Sequence, residues 1–83
     1  MTATNEANEE LRRLRIARGL PGAYRVENKA GLTVARYIVD HRGIAWANIL
    51  AAAPISPEDR RRRAIAAVLE LIADGELVRV QVA

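Results

Sequence analysis

Four consecutive arginines, Arg60, Arg61, Arg62 and Arg63, stand in the first turns of the longest helical pattern of the sequence, SPEDRRRRAIAAVLELIAD over Ser56 to Asp74. A guanidinium is permanently charged and donates through a planar fork, so such a run can clamp phosphate or pair with guanine through two parallel hydrogen bonds. The chemistry implied is polyanion binding. Four cations near a helix N-terminus oppose the macrodipole, and Glu58 and Asp59 offset part of that. The rest falls either to an external polyanion or to solvent and salt bridges with acids such as Glu27 or Asp40. Successive residues turn by about 100° on a helix, which puts Arg60 and Arg63 well away from a buried face centred on Ile65. Arg61 and Arg62 flank that face and can lay their methylene stems over it. Arg42 and Arg79 extend the basic surface, as do Arg36 and Lys29, although each alone also reads as a solvated charge.

Other chemistries find little support. There is no cysteine, so disulfides, thiolate metal sites and cysteine nucleophiles are excluded together. His41 is the sole histidine, and one histidine with scattered carboxylates does not make a zinc site. It is read as a cap at a helix C-terminus, where its charged form is favoured. Ser56 is accounted for as an N-cap, so a triad with His41 and an aspartate has no nucleophile and no oxyanion hole. The five glycines stand singly at element ends, without a phosphate loop. Neither an enzyme nor a cofactor is expected. Trp46 is read as a core-edge anchor in preference to a base-stacking platform.

The elements that must position the arginines belong to one small domain. With 83 residues, 51% hydrophobic and 28% charged, the chain is near the lower end of what buries a self-sufficient core. The 13 basic and 10 acidic groups give a net charge of +3, so distribution matters more than the total. No run is long and apolar enough to span a membrane and the N-terminus lacks the order of a secretory signal, so a cytoplasmic protein is expected. Residues 1–4 are expected as a disordered tail and residues 5–83 as the domain.

A helix is predicted over Asn5 to Arg18, with Ala7, Leu11, Leu14 and Ala17 or Arg18 forming a narrow apolar stripe that packs on the body of the domain or on the same helix in a second subunit. Gly19 and Pro21 end it. Ala23 to Glu27 alternates as a short edge strand. The next helix is predicted over Leu32 to His41, with Val34, Ala35, Ile38 and Val39 inward; Ile44 and Ala45 make a bridge-length strand, and Trp46 to Ala53 a short helix stopped by Pro54. Ser56 caps the long helix, Pro57 fits its first position, Ile65, Val68, Leu69 and Ile72 form its buried face, and Gly75 closes it. Leu77 to Ala83 alternates as a half-buried strand, with Val78, Val80 and Val82 on one face and Arg79 and Gln81 on the other.

The order helix, small strand, short helix, turn, long helix and strand over residues 32 to 83 resembles a winged helix-turn-helix. Ile55-Ser56 resembles the entry to its recognition helix, and Asp74-Gly75-Glu76-Leu77-Val78 the run into its wing. The resemblance implies an α+β, mostly helical, winged-helix-like fold with a truncated wing and an extra N-terminal helix. It also implies duplex DNA as partner, met by the helix N-terminus in the major groove, in a small regulator or a phage or plasmid accessory protein. A homodimer is expected, through the Asn5 to Arg18 helix or the exposed edge of Leu77 to Val82, because one small module has limited specific affinity. The alternative is a protein-interaction module, an adaptor or assembly subunit, that offers the arginine block to an acidic partner and the C-terminal strand to a partner sheet.

Overall fold

A computed structural model describes residues 2–83. In chain order it contains α1 (Thr2–Arg18), β1 (Gly22–Glu27), β2 (Thr33–Asp40), β3 (Gly43–Ile49), α2 (Pro57–Ala73) and β4 (Val78–Gln81). The strands form one antiparallel sheet in the order β3-β2-β1-β4. The domain is thus α+β with two helices and a four-stranded sheet, which corrects the mostly helical, winged-helix-like fold expected from the sequence.

The correction lies in residues 32–53. The segment Thr33–Asp40 has β-branched and aromatic residues at helix-compatible spacing, yet it alternates: Ala35, Tyr37 and Val39 are buried while Arg36 and Ile38 are exposed. Such side chains pack well on a pleated surface. The helix expected over Trp46 to Ala53 is divided between β3, which runs through Ile49, and a turn that precedes Pro54. A two-residue turn of His41 and Arg42 joins β2 to β3, so His41 caps no helix. Asp40 closes that turn by accepting from the backbone N–H groups of Arg42 (2.8 Å) and Gly43 (3.1 Å). β3 and a turn directly precede α2, so no adjacent helix completes a helix-turn-helix there. The C-terminal strand is not a wing but the sheet's edge, paired from Glu27↔Val78 to Tyr24↔Gln81. The first helix begins at Thr2, so residues 2–4 are its opening turn rather than a tail; no glycine or proline precedes Asn5 to prevent this. Met1 lies outside the described residues.

Where the ends of α2 carry strong local chemistry, expectation and structure agree. Ser56 accepts at its side-chain oxygen from the Asp59 N–H (3.0 Å), Pro57 occupies the first turn, and Gly75 follows the helix with φ +82°. Val68 and Leu69 are buried, and Ile65 and Ile72 pack against the core. One departure is local: α2 loses helical geometry at Arg63 (φ −154°, ψ 45°) and bends there.

Both helices contribute to a core on one face of the sheet. Leu14 and Ala17 of α1 and Val68 and Leu69 of α2 pack with Tyr24, Val26, Ala35, Tyr37 and Val39. The Tyr24 and Tyr37 rings stack at 5.1 Å, and their hydroxyls serve the end of α1. Tyr37 donates to the carbonyls of Ala17 (2.9 Å) and Arg18 (3.0 Å), and Tyr24 to that of Leu20. Carbonyls in the last turn of a helix have no partner within it, and a buried one left unpaired is costly. Gly19, at φ +89°, permits this close approach, since a Cβ there would lie 2.8 Å from the Tyr24 hydroxyl. α1 also packs on α2, and Leu14 and Ala17 of its stripe enter the core, while Ala7 and Leu11 remain exposed. The opposite face of the sheet carries no helix and leaves Ile38, Trp46 and Val78 exposed.

Candidate nucleic-acid interface

The arginine block at the start of α2 is largely engaged within the molecule. Arg60 turns back on the segment that precedes the helix and donates to the carbonyls of Leu50 (3.1 Å), Ala51 (3.3 Å) and Ala53 (3.2 Å). It ties the β3-α2 connection to the first turn. Arg63 donates to Asp59 (3.1 Å) on one side of the bend in α2 and to both Glu70 oxygens (2.7 and 3.2 Å) on the other. These two carboxylates hold its guanidinium protonated well above the ordinary arginine range, chiefly through the Glu70 hydrogen bonds. Arg62 lies 3.4 Å from Glu58 in an exposed pair. Within the block, Arg61 alone has neither a carboxylate nor a carbonyl partner among the described residues.

Arg79 also serves the fold. It belongs to β4 but faces the helices, donating to the carbonyls of Ile16 and, at 2.6 Å, Ala17. Its guanidinium lies 5.7 Å from the centre of the Tyr24 ring. A cation at a helix C-terminus satisfies free carbonyls and complements the macrodipole. Of the six arginines expected to contact DNA, Arg60, Arg63 and Arg79 thus have clear structural work.

Arg42 has a different setting. The β2-β3 turn places it beside the last turn of α1, where Arg15 and Arg18 join it in lining a groove of about 310 Å³. Leu11, Leu14, Ile44 and Leu69 complete the walls. None of the three guanidiniums forms an ion pair among the described residues, although six such pairs occur elsewhere on the surface. Asp40, the nearest acid in sequence, is occupied by the turn's backbone. The Arg18 Nε is buried and has no hydrogen-bond partner. Gly43, at φ +130°, admits that side chain: a Cβ there would lie 3.3 Å from Arg18 Nη1. An unpaired buried donor is unfavourable, and more so when charged. Three arginines that line one groove without a carboxylate suit an oxyanion held by several N–H groups.

Arg15 and Arg18 were not among the expected contact residues, because on a helix read alone they serve as complements to the dipole. The available signal was spacing. Leu11, Leu14, Arg15 and Arg18 share one face by the i, i+3, i+4, i+7 rule, so an arginine stands where the apolar stripe should end. Nothing in the sequence places Arg42 beside them, since the expected helix over Leu32 to His41 removes the turn that does so.

On the other side of α1 the charge reverses. Glu6, Glu9 and Glu10 face Glu70 and Asp74, with Arg13 paired to Asp74. No group of histidine and acidic side chains among the described residues has the arrangement of a metal site. No helix among them is long and apolar enough to cross a membrane. No family model, curated protein or solved structure matches the chain, so the reading of this surface rests on its own geometry.

Proposed function

We propose that this protein binds duplex DNA through its phosphates, using Arg15, Arg18 and Arg42, with Arg61 as an outlying contact. The observation that carries the reading is that three arginines without a carboxylate partner line one groove, one of them with a buried and unpaired Nε–H. Phosphate contacts fix register and supply most non-specific affinity, but carry no sequence information by themselves. The protein is accordingly a small accessory or regulatory DNA-binding factor in this reading, and not one that reads bases with the α2 N-terminus.

Duplex binding measured against salt tests it. Each neutralised phosphate contributes roughly 0.9 to the slope of log affinity against log salt. Arg15→Ala with Arg42→Ala lowers that slope by roughly 1.8, whereas Arg62→Ala with Arg63→Ala leaves it nearly unchanged. Absence of binding to a mixed-sequence duplex at low salt rejects the proposal, as does an equal loss from the two double variants.

A protein-interaction module is the second reading, and one observation favours it. β4 lies at the sheet's edge, with only β1 beside it, so a partner strand has somewhere to pair. Light scattering with Gln81→Pro, which removes an N–H that points away from β1, tests this: assemblies that survive the substitution do not form through that edge.

A further inference from the structure

The sheet face away from the helices has a composition that solvation does not explain. An antiparallel sheet with one wet face normally puts polar side chains there. Here Trp46 and Ile38, directly opposite each other on β3 and β2, are 50% and 43% exposed. One step along the same face, Asn48 stands opposite Arg36, and both are exposed. Arg36 in turn stands opposite Arg25, which faces Val80 on its other side. Like charges directly across a strand pair repel. Glu27 relieves Arg25 at 3.0 Å, while Arg36 has no carboxylate among the described residues. The face therefore presents a flat aromatic ring, an amide and an unneutralised guanidinium, with Trp46 and Asn48 two residues apart on one strand, about 7 Å.

We propose that this face binds single-stranded nucleic acid, by stacking a base on Trp46, meeting a base edge with the Asn48 amide and holding a phosphate with Arg36. Charge decides among the possible occupants. A second copy packed face to face would bring the unneutralised Arg36 of both subunits into one interface, which repulsion disfavours. An acidic peptide would satisfy Arg36 but has no use for an exposed indole beside an amide. A duplex cannot serve, because its bases are already stacked on one another. An unpaired strand offers a free π-face, a free base edge and a phosphate together, and aromatic side chains with a cation on a sheet are the general means of holding one. The inference does not rest on the duplex reading, since it uses other residues on the opposite side of the sheet.

Trp46 is the only tryptophan of the chain, so its fluorescence reports directly on the face. Titration of the whole protein with oligothymidine of about ten nucleotides, within the usual span of one binding module, should quench that emission saturably at low salt. In a labelled-oligonucleotide assay, Trp46→Ala should lower affinity roughly 5- to 150-fold, the range for losing one stacked base, and Arg36→Ala should weaken binding and flatten its salt dependence. Circular dichroism checks that these exposed substitutions leave the fold intact. Arg15→Ala with Arg42→Ala should keep the quench while losing duplex binding, which separates the two proposals. Absence of quenching by oligothymidine overturns this one. So does equal quenching by polyglutamate, which would assign the face to an acidic protein. Concentration-dependent dimerisation that shields Trp46 without nucleic acid would assign it to a second copy and overturn it likewise.

Discussion

The start of α2 and the end of α1 both present clustered arginines, and they differ in what those arginines already touch. At α2, Arg60 satisfies three carbonyls and Arg63 bridges two carboxylates across the bend, so the charge is largely balanced inside the subunit. At α1, Tyr37, Tyr24 and Arg79 satisfy the helix-end carbonyls, and Arg15, Arg18 and Arg42 gain no partner in return. A run of like charges in sequence is therefore a weaker sign of a binding site than a smaller cluster assembled from separate elements. Acids on the same helix can neutralise a run locally, as Glu58, Asp59 and Glu70 do. A cluster brought together by folding lacks that local compensation.

The largest effect that separates the two regions is on stability. Arg60→Ala removes three charge-assisted hydrogen bonds and leaves carbonyls of the Leu50 to Ala53 turn without their donor, at a cost of about 2 kcal/mol. Urea unfolding should show the loss, with duplex affinity unchanged. A variant of full stability would mean that Arg60 is as free as Arg42, and the contrast between the clusters would fail.

Tyr37→Phe sharpens the comparison from the other side. It removes the hydroxyl that serves the Ala17 and Arg18 carbonyls and should cost about 1 kcal/mol. It should also change the alkaline limit. Burial pushes the Tyr37 hydroxyl above its ordinary value of 10.0, against an opposing pull from Arg79. The folded state thus holds that proton more tightly than the unfolded chain. Its contribution is complete below pH 10 and is lost as pH rises through the higher folded value. Thermal unfolding followed from pH 8 to about 11.5 should fall steeply for the native chain and less so for Tyr37→Phe. Parallel curves would remove Tyr37 as the anchor of α1.

Much of α2 was legible because its signals are local. Ser56, Pro57, Gly75 and the Ile65 to Ile72 spacing each act within a few residues, and the structure places them as expected. The Val78 to Gln81 strand was legible for the same reason, as was the strand before Asn28, although that strand lies between β2 and β4 and not at the edge expected of it. β2 and β3 were not, and their outward residues explain why. A half-buried strand declares itself by polar residues at alternate positions, but Ile38 and Trp46 are apolar and face solvent. They erased the period of two, and Ile38 completed a false helical spacing with Val34, Ala35 and Val39. The same two residues now mark the open face of the sheet. The Arg42 groove was hidden by consequence, because it requires the β2-β3 turn.

The smallest predicted effect is the most informative about the α1 cluster. Arg18 lies with Nε buried and unpaired, so within the free protein this group contributes desolvation cost and no hydrogen bond. Replacing a buried polar group that has no partner with an apolar one of similar length is nearly neutral or stabilising. Arg18→Met keeps an aliphatic stem in the groove that Leu14 and Ile44 also line and removes the unpaired donor. Its unfolding free energy should stay within about 0.5 kcal/mol of the native value, or rise, while duplex affinity falls. A clear loss of stability would show that Arg18 serves the fold as Arg60 does, leaving the two clusters alike and the groove without a reason to bind an anion. Unchanged stability with weakened binding would mean that this arginine is retained at no benefit to the folded chain, and that its partner is the phosphate.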